Sequence, residues 1–229
     1  MNSTNKDYNM LNKKRAYIKL VETRKHYKFP EGLVNPSDVL NGIYDRDIHI
    51  GPWSKWQGNL DADIMLIGQD WGSLDFFIET KGGPLDDSQT NRNLKELFQV
   101  IGIDIGYPNH PNHDNSLFFT NAILGLKKGK MSGNIKASWL RNEAETFLKP
   151  TIDIIQPKII ISLGKKAYDA LAIIYNLKKA SLKYLIDNNP VELQDGKLLF
   201  AFYHCGGLGI ASRSFELQKQ DWKMIIDYL

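Results

Sequence analysis

The fold of this chain is decided by one stretch, Asp63-Ile64-Met65-Leu66-Ile67-Gly68-Gln69-Asp70-Trp71-Gly72. Its four consecutive apolar residues, which end at a glycine, are typical of a strand buried on both faces in a parallel sheet. Asp70 follows this predicted strand, in a turn between Gly68 and Gly72. Taken alone, Asp70 is as readily explained by a turn aspartate that hydrogen-bonds its own backbone as by a functional carboxylate.

Downstream of this stretch, predicted strands and helices alternate. Three further apolar runs predict strands at 116–120, 158–162 and 198–203. Helical spacing of apolar residues predicts helices at 94–101, 137–155, 165–175 and 214–229. The alternation predicts a three-layer α/β/α fold around a central four-stranded, mainly parallel sheet. We expect residues 58–229 to form one compact domain. Residues 1–57 should add a basic helix, from about Tyr8 to Tyr27, and an irregular extension.

Polar residues follow three of the predicted strands. Asp70 follows the first, Asn121 the second and His204 the fourth. Parallel strands place their carboxyl ends on one edge of the sheet, where such folds bind their ligands, so we expect these three side chains to meet. Each also has a plainer interpretation, since an asparagine at a strand end often caps a turn and a lone histidine is more often structural.

The composition is that of an ordinary globular protein, with 42% hydrophobic and 24% charged residues among 229 and a net charge of +3. No apolar run is long enough to span a membrane, and the polar start of the chain argues against a secretory signal. The single cysteine, Cys205, excludes an internal disulfide and a cysteine metal cluster. We therefore expect a cytoplasmic protein without a metal or another cofactor.

Four motifs stand out: residues 58–72, Phe118-Phe119-Thr120-Asn121, the proline-led strand at 156–164 with Ala167, and His204 with its glycine-rich loop and the helix that contains Trp222. In this order and spacing they resemble the motifs of the uracil-DNA glycosylase superfamily. The first motif mixes two branches. Its alanine–aspartate pair and apolar strand resemble the iron–sulfur branch, whereas Gly68-Gln69-Asp70 is similar to the classical branch.

The resemblance implies a monofunctional DNA glycosylase. Such an enzyme hydrolyses the N-glycosidic bond of a flipped-out uracil or modified pyrimidine in DNA and leaves an abasic site. By resemblance, the catalytic residues are Asp70, His204 and Gln69, with Asp70 holding the water and stabilising the cationic sugar. His204 donates a hydrogen bond to the base as it becomes anionic. Asn121 recognises the base edge.

Three departures from the family pattern affect cofactor and substrate. The iron–sulfur branch needs four cysteines, so no cluster is expected here. That branch has its acidic residue at the position of Gln69; we favour Asp70, because only a carboxylate stabilises a cation by charge. The phenylalanine on which the family stacks the flipped base is missing from residues 82–87, where Leu85 is nearest to the expected position. Phe76 or Phe77 can take over this stacking role, although both are also consistent with core residues.

The same departures alter the predicted base pocket, for which we name Asn121, Trp71, Gly72, Leu85 and Phe77. Trp71 replaces a proline of the classical motif, and Gly72 replaces the tyrosine that excludes thymine. The loss of that tyrosine predicts that a base with a 5-substituent is admitted.

Two segments are predicted to contact DNA: the loop after the second strand and the loop after His204. Their residues are Lys127, Lys128, Lys130, Gly207, Leu208, Ile210, Ser212 and Arg213. Lysines of the first segment can contact phosphates, and Leu208 or Ile210 can insert as a wedge between stacked bases. The first 28 residues carry eight basic and two acidic side chains and can add nonspecific affinity. Runs of this kind are more often only solvated surface.

Alternatives remain open at this point. Within the glycosylase interpretation, uracil competes with a bulky modified base, for example in viral DNA. A catalytically silent DNA-binding module of the same fold is a second possibility. A nucleotide-binding α/β enzyme is a third, although 162–166 lacks the second glycine and the hydroxyl residue of a phosphate loop. The expected partner is double- or single-stranded DNA, no membrane is involved, and the protein is expected to be a monomer.

Overall fold

A five-stranded sheet forms the centre of the computed structural model, which describes residues 3–46, 48–83, 85–131 and 133–229. Its strands are β1 (Ile64–Asp70), β2 (Leu117–Ile123), β3 (Ile159–Leu163), β4 (Val191–Glu192) and β5 (Leu198–Phe202). Their order across the sheet is β2-β1-β3-β5-β4, and only β4 runs antiparallel to its neighbour. The predicted three-layer α/β/α fold with a mainly parallel sheet is confirmed, with one short strand more than the four predicted.

The interior strand β1 lies between β2 and β3. Met65 and Ile67 pack into one apolar cluster, and Ile64 and Leu66 into a second cluster. Because successive side chains of a strand point to opposite faces, this division accounts for the continuous apolar run. The strand extends to Asp70, which pairs with Ile123 of β2. Asp70 and Asn121 therefore stand inside strand ends rather than in the turns that were predicted to follow them.

Helices cover both faces of the sheet. They are α1 (Ser3–Lys25), α2 (Pro52–Trp56), α3 (Leu74–Glu79), α4 (Gln89–Val100), α5 (Ala137–Glu143), α6 (Lys149–Ile155), α7 (Lys165–Ile174), α8 (Leu182–Asp187), α9 (Gly207–Ser212) and α10 (Phe215–Trp222). A π-helical turn, Ala144–Leu148, joins α5 to α6, so the predicted helix at 137–155 is continuous. Side chains of α1, α5, α6 and α7 contribute to the first cluster, and those of α4 and α10 to the second. None of the described helices is long and apolar enough to cross a membrane.

The N-terminal region packs on this sheet domain. Tyr17 and Val21 of α1 are buried in the first cluster. Two basic side chains of the helix are engaged internally, since Arg24 is fully buried against Asp45 and Lys13 bonds Asp61. A two-residue strand, Leu33–Val34, then pairs antiparallel with Leu126–Lys127, so the extension reaches the segment that follows β2. Met1 and Asn2, at the start of the predicted extension, lie outside the described residues.

Candidate active site

A cleft of about 320 Å³ lies at the carboxyl edge of the sheet. Six of the predicted site residues line it: Gln69, Asp70, Trp71, Leu85, Asn121 and His204. They come from the end of β1 and the residue that follows it, from the last part of β2, from the segment before α4 and from the residues just after β5. The topology therefore brings together the three polar groups that we expected to meet, although their chemical roles remain predictions.

The carboxylate of Asp70 is almost buried and is held from one side. Its Oδ2 accepts hydrogen bonds from Gln69 Nε2 at 2.7 Å and from Lys127 Nζ at 3.2 Å. The side chains of Asp70 and Lys127 are only 7% and 2% exposed. This burial contradicts the prediction that Lys127 contacts a DNA phosphate, because its ammonium faces Asp70 inside the protein.

The side-chain amide of Asn121 is fixed by the neighbouring strand. Asn121 is 3% exposed, and its Nδ2 donates a hydrogen bond to the backbone carbonyl of Asp70 at 3.2 Å. Because a carbonyl oxygen can only accept a hydrogen bond, the end of the amide that faces it must be the nitrogen. The oxygen Oδ1 and the second Nδ2 hydrogen are left to bind a ligand.

The imidazole of His204 is oriented by its own loop. Nδ1 accepts a hydrogen bond from the backbone N–H of Gly206 at 2.9 Å, which places the hydrogen of the neutral ring on Nε2. Burial lowers the pKa of His204 below its usual value, and the negative charge of Asp70 only partly opposes this effect. His204 is therefore neutral at physiological pH and presents an Nε2–H donor.

Two glycines allow these groups to approach one another. A Cβ on Gly68 would stand 2.5 Å from the ring of Trp53 and 2.7 Å from Nδ2 of Asn121. A Cβ on Gly209 would overlap the backbone oxygen of His204. The glycines of the two motifs are thus required by packing around Asn121 and His204.

Aromatic side chains form the walls of the cleft. Trp71 lines it and packs edge-on against Tyr44, with ring centroids 4.3 Å apart. Phe77 is 1% exposed in a small cluster with Trp71 and Tyr44, which contradicts the prediction that it contacts the base. Its neighbour Phe76 lines the cleft instead, as does Trp53, which no sequence motif had singled out.

Gly72 does not leave an open gap in the wall. It lies outside the cleft lining, which corrects its predicted base contact. A Cβ on it would meet Met131 Sδ at 3.1 Å and Phe76 at 3.3 Å. Both neighbours line the cleft, and Met131 is half-exposed. The space opened by the missing tyrosine is therefore filled by a flexible thioether.

The residues that were predicted to contact DNA differ in their exposure to solvent and in whether they already have a partner within the protein. Lys128 and Lys130 are exposed on the loop after β2. On α9, Gly207 and Ser212 are exposed and Ile210 is half-buried. Leu208 is 78% exposed, the highest value among the large apolar side chains that the structure describes. Arg213 instead makes two hydrogen bonds to the carboxylate of Asp221, at 2.5 and 2.6 Å. Its guanidinium is thus already paired within the protein.

A second buried carboxyl group lies near the cleft and was also missed. Glu143 of α5 is fully buried, and its Oε2 accepts the backbone N–H groups of Leu124 at 2.5 Å and Gly125 at 3.2 Å. Burial, with a smaller contribution from the charge of Asp70, raises the pKa of Glu143 to about 8. It therefore carries a proton at neutral pH.

Comparison with known families agrees with this geometry. A family model described as "Uracil DNA glycosylase superfamily" matches residues 56–226, about three quarters of the chain. The chain belongs to the uracil DNA glycosylase superfamily. The match extends from the end of α2 beyond α10, and it includes every residue that lines the cleft except Pro52 and Trp53.

The iron–sulfur cluster of one superfamily branch does not fit the residues of this member. Such a cluster needs four thiolates, and the chain has one cysteine, Cys205. Cys205 is buried, its thiol contacts the carbonyl of Thr90, and burial raises its pKa to about 12. In the described part of the chain, no three His, Cys, Asp or Glu side chains are grouped as metal ligands would be.

Proposed function

We propose that this superfamily member hydrolyses the N-glycosidic bond of a flipped-out uracil or modified pyrimidine in DNA and leaves an abasic site. Superfamily membership points to DNA glycosylase activity in general. The observation that carries the proposal is that a carboxylate, a carboxamide and a neutral imidazole, Asp70, Asn121 and His204, line one cleft. Each group suits one part of this reaction.

Asp70 suits the cationic side of the reaction. Breaking the bond develops positive charge on the sugar, and a buried carboxylate stabilises that charge more strongly than one in water. Its Oδ2 is engaged by Gln69 and Lys127, whereas Oδ1 has no hydrogen bond to any described residue. Oδ1 can therefore accept a hydrogen bond from the attacking water.

His204 can stabilise the negative charge that develops during the reaction. The departing base gains negative charge on its oxygen, and a fixed N–H donor stabilises that charge. Because Nδ1 is occupied by the Gly206 N–H, Nε2–H is the donor that remains. A neutral donor serves here without having to transfer its proton.

Asn121 suits a uracil-like edge. Uracil presents an N3–H donor beside an O4 acceptor, which match the free oxygen and the free Nδ2 hydrogen of Asn121. Cytosine presents the opposite pattern and would require the amide to turn over. That turn would place Oδ1 against the carbonyl of Asp70, which now accepts from Nδ2 at 3.2 Å.

The cleft wall beside Gly72 favours acceptance of a substituent at the 5-position of the pyrimidine base. Met131 fills the space there, and an unbranched thioether adapts its shape more readily than an aromatic ring. We therefore propose that a 5-substituted pyrimidine is accepted alongside uracil. We also propose a monofunctional enzyme, since no lysine is among the described residues that line the cleft.

The test uses duplex and single-stranded oligonucleotides that carry uracil, hydroxymethyluracil, hypoxanthine or modified cytosines, followed by alkaline cleavage of abasic sites. We expect product from uracil and hydroxymethyluracil, and no covalent complex on borohydride reduction. Asp70→Asn should lower the single-turnover rate by orders of magnitude. His204→Ala should lower it by about 100-fold or more.

The matched control is Asp63→Asn, which alters an exposed aspartate at the opposite end of the same strand and should keep the wild-type rate. Absence of abasic product from every substrate, with DNA binding retained, would instead support a catalytically silent binding module. Full activity in both cleft variants would show that the reaction takes place elsewhere.

A further inference from the structure

Lys127 is one of the most buried charged side chains of the protein. It is 2% exposed, and its ammonium contacts three oxygens: Asp70 Oδ2 at 3.2 Å, the Met131 carbonyl at 2.7 Å and the Gly133 carbonyl at 3.3 Å. An ammonium has three hydrogens to donate, so its hydrogen-bonding capacity is used completely. A buried lysine with every hydrogen engaged is an anchored charge, unlike a mobile surface lysine.

The backbone of Lys127 holds the same loop. Its N–H donates to the carbonyl of Gly72 at 3.3 Å, and the residue forms a β-bridge with Ser73. The Leu126–Lys127 strand is itself paired with Leu33–Val34. Lys127 is thus fixed from both sides and contacts the motif loop through main chain and side chain together.

Lys127 distinguishes the two oxygens of Asp70. Oδ2 accepts from Lys127 and Gln69, while Oδ1 is free among the described residues. We propose that Lys127 is a positioning residue, which fixes Oδ2 of Asp70 so that Oδ1 alone receives the attacking water. This inference rests on the proposed function, in which Asp70 handles that water.

The geometry favours positioning over two other roles. A nucleophilic lysine must reach the sugar, but Lys127 does not line the cleft and stands behind Asp70. A phosphate-contacting lysine must be exposed, and Lys127 is not. A merely structural lysine would support the fold without acting through Asp70, and the coupling of the two residues in the excision rate separates that role from positioning.

The test replaces Lys127 by methionine, which keeps the length of the stem and removes the charge, and measures single-turnover excision together with DNA binding. We expect the rate to fall on the order of 100-fold, because small misplacements of reacting groups cost that much. The Kd for DNA should stay unchanged.

Two further variants keep the test decisive. Lys127→Gln, which retains a donor but no charge, should show a similar fall in the excision rate and covers the case in which Lys127→Met does not fold. Lys158→Met removes the lysine of an exposed lysine–aspartate pair at the far edge of the sheet and should leave the excision rate unchanged. A wild-type excision rate in both Lys127 variants would overturn the proposal.

A double-mutant cycle with Asp70→Asn gives a readout that is independent of catalysis. Each single variant leaves one buried partner unpaired, so the losses in the free energy of unfolding should be less than additive in the double variant.

The same double variant also gives a catalytic readout. In the Asp70→Asn background, Lys127→Met should slow excision no further, whereas a slowing equal to that in the wild-type background would indicate a separate structural role and overturn the proposal. A wild-type protein that excises no base refutes the proposed function, and additive losses in unfolding free energy refute the pairing itself.

Discussion

The Nδ1 atom of His204 accepts a hydrogen bond from the backbone N–H of Gly206 at 2.9 Å, and this contact fixes the chemistry of the ring. A protonated imidazole carries hydrogen on both nitrogens and cannot accept from Gly206. The contact and the burial of the ring therefore both favour the neutral form. Protonation of His204 must break the contact, which couples the local structure to pH.

We predict that the stability of the protein depends on His204 below pH 6.5. Because the folded-state pKa of His204 lies below its value of 6.5 in the unfolded chain, its contribution is complete above that pH. It is lost as the pH falls from 6.5 through the folded-state pKa, with a slope of at most about 1.4 kcal/mol per pH unit.

Urea unfolding of the wild-type protein and of His204→Gln, which does not titrate, measures this contribution between pH 7.5 and 5. The free energy of unfolding of the wild-type protein should fall toward that of the variant as the pH drops. Parallel curves over the whole range would contradict the prediction.

The central sheet could be predicted because its strands are apolar on both faces. Residues 64–67 and 159–161 form uninterrupted apolar runs, which at this length are typical of buried strands. Strand ends were harder to predict, since Gln69 and Asp70 remain in β1 only through pairing with β2. The missed strand β4 has two residues, which is too short for any periodicity, and it exists because Val191 and Glu192 pair with β5.

The site could be predicted only where a local pattern reports on it. Asp70, Asn121 and His204 stand at strand ends, and topology alone brings strand ends together. The burial of Lys127 depends on pairing with residues 33 and 34, almost a hundred positions earlier, so the sequence 127–130 looked like a solvated basic loop. Which of Phe76 and Phe77 faces the cleft depends on the rotation of the short helix α3 about its axis, and no sequence pattern determined that rotation.

Asn121→Asp is predicted to change which base is excised. The carboxylate cannot donate to the carbonyl of Asp70, so the contact that orients Asn121 becomes a repulsion between oxygens. Excision of uracil should fall by at least about 100-fold, and the ratio of cytosine-type to uracil-type excision should rise.

Single-turnover rates on matched uracil and cytosine oligonucleotides measure this ratio. Asn115→Asp, which alters an asparagine two residues before β2 begins, is the control and should leave the ratio unchanged. A variant that loses both activities equally would show that Asn121 supports the fold of the site rather than base choice.

Leu208→Ala is predicted to impair excision from duplex DNA more than from single strands. Leu208 is 78% exposed on α9, four residues after His204, where an apolar side chain can fill the space left by a flipped base. Unstacking costs a few kcal/mol in a duplex and much less in a single strand. The duplex rate should therefore fall by roughly 10-fold or more while the single-strand rate is kept.

The comparison uses uracil in the same sequence with and without its complementary strand. Leu217→Ala removes another exposed leucine, on α10, and should affect neither rate. An equal loss on both substrates after Leu208→Ala would argue against a wedge and in favour of a general contact with the strand.

Glu143→Gln is predicted to stabilise the protein increasingly as the pH rises. The pKa of Glu143 is raised to about 8 by burial, so the folded protein keeps a proton that the unfolded chain releases above about pH 4.5. The free energy of unfolding of the wild-type protein therefore falls, relative to that of the variant, between pH 4.5 and 8, and the difference is constant above pH 8. Its slope is at most about 1.4 kcal/mol per pH unit.

Glutamine suits this comparison because its oxygen can accept the N–H groups of Leu124 and Gly125 as Oε2 of Glu143 does. Thermal unfolding between pH 5 and 9 should show a melting temperature of Glu143→Gln that rises above the wild-type value and then runs parallel to it. Glu145→Gln, an exposed change two residues along, should show no such divergence. A constant offset across the range would mean that Glu143 is ionised in the folded protein, with its charge stabilised by the two backbone donors that fix the turn after β2.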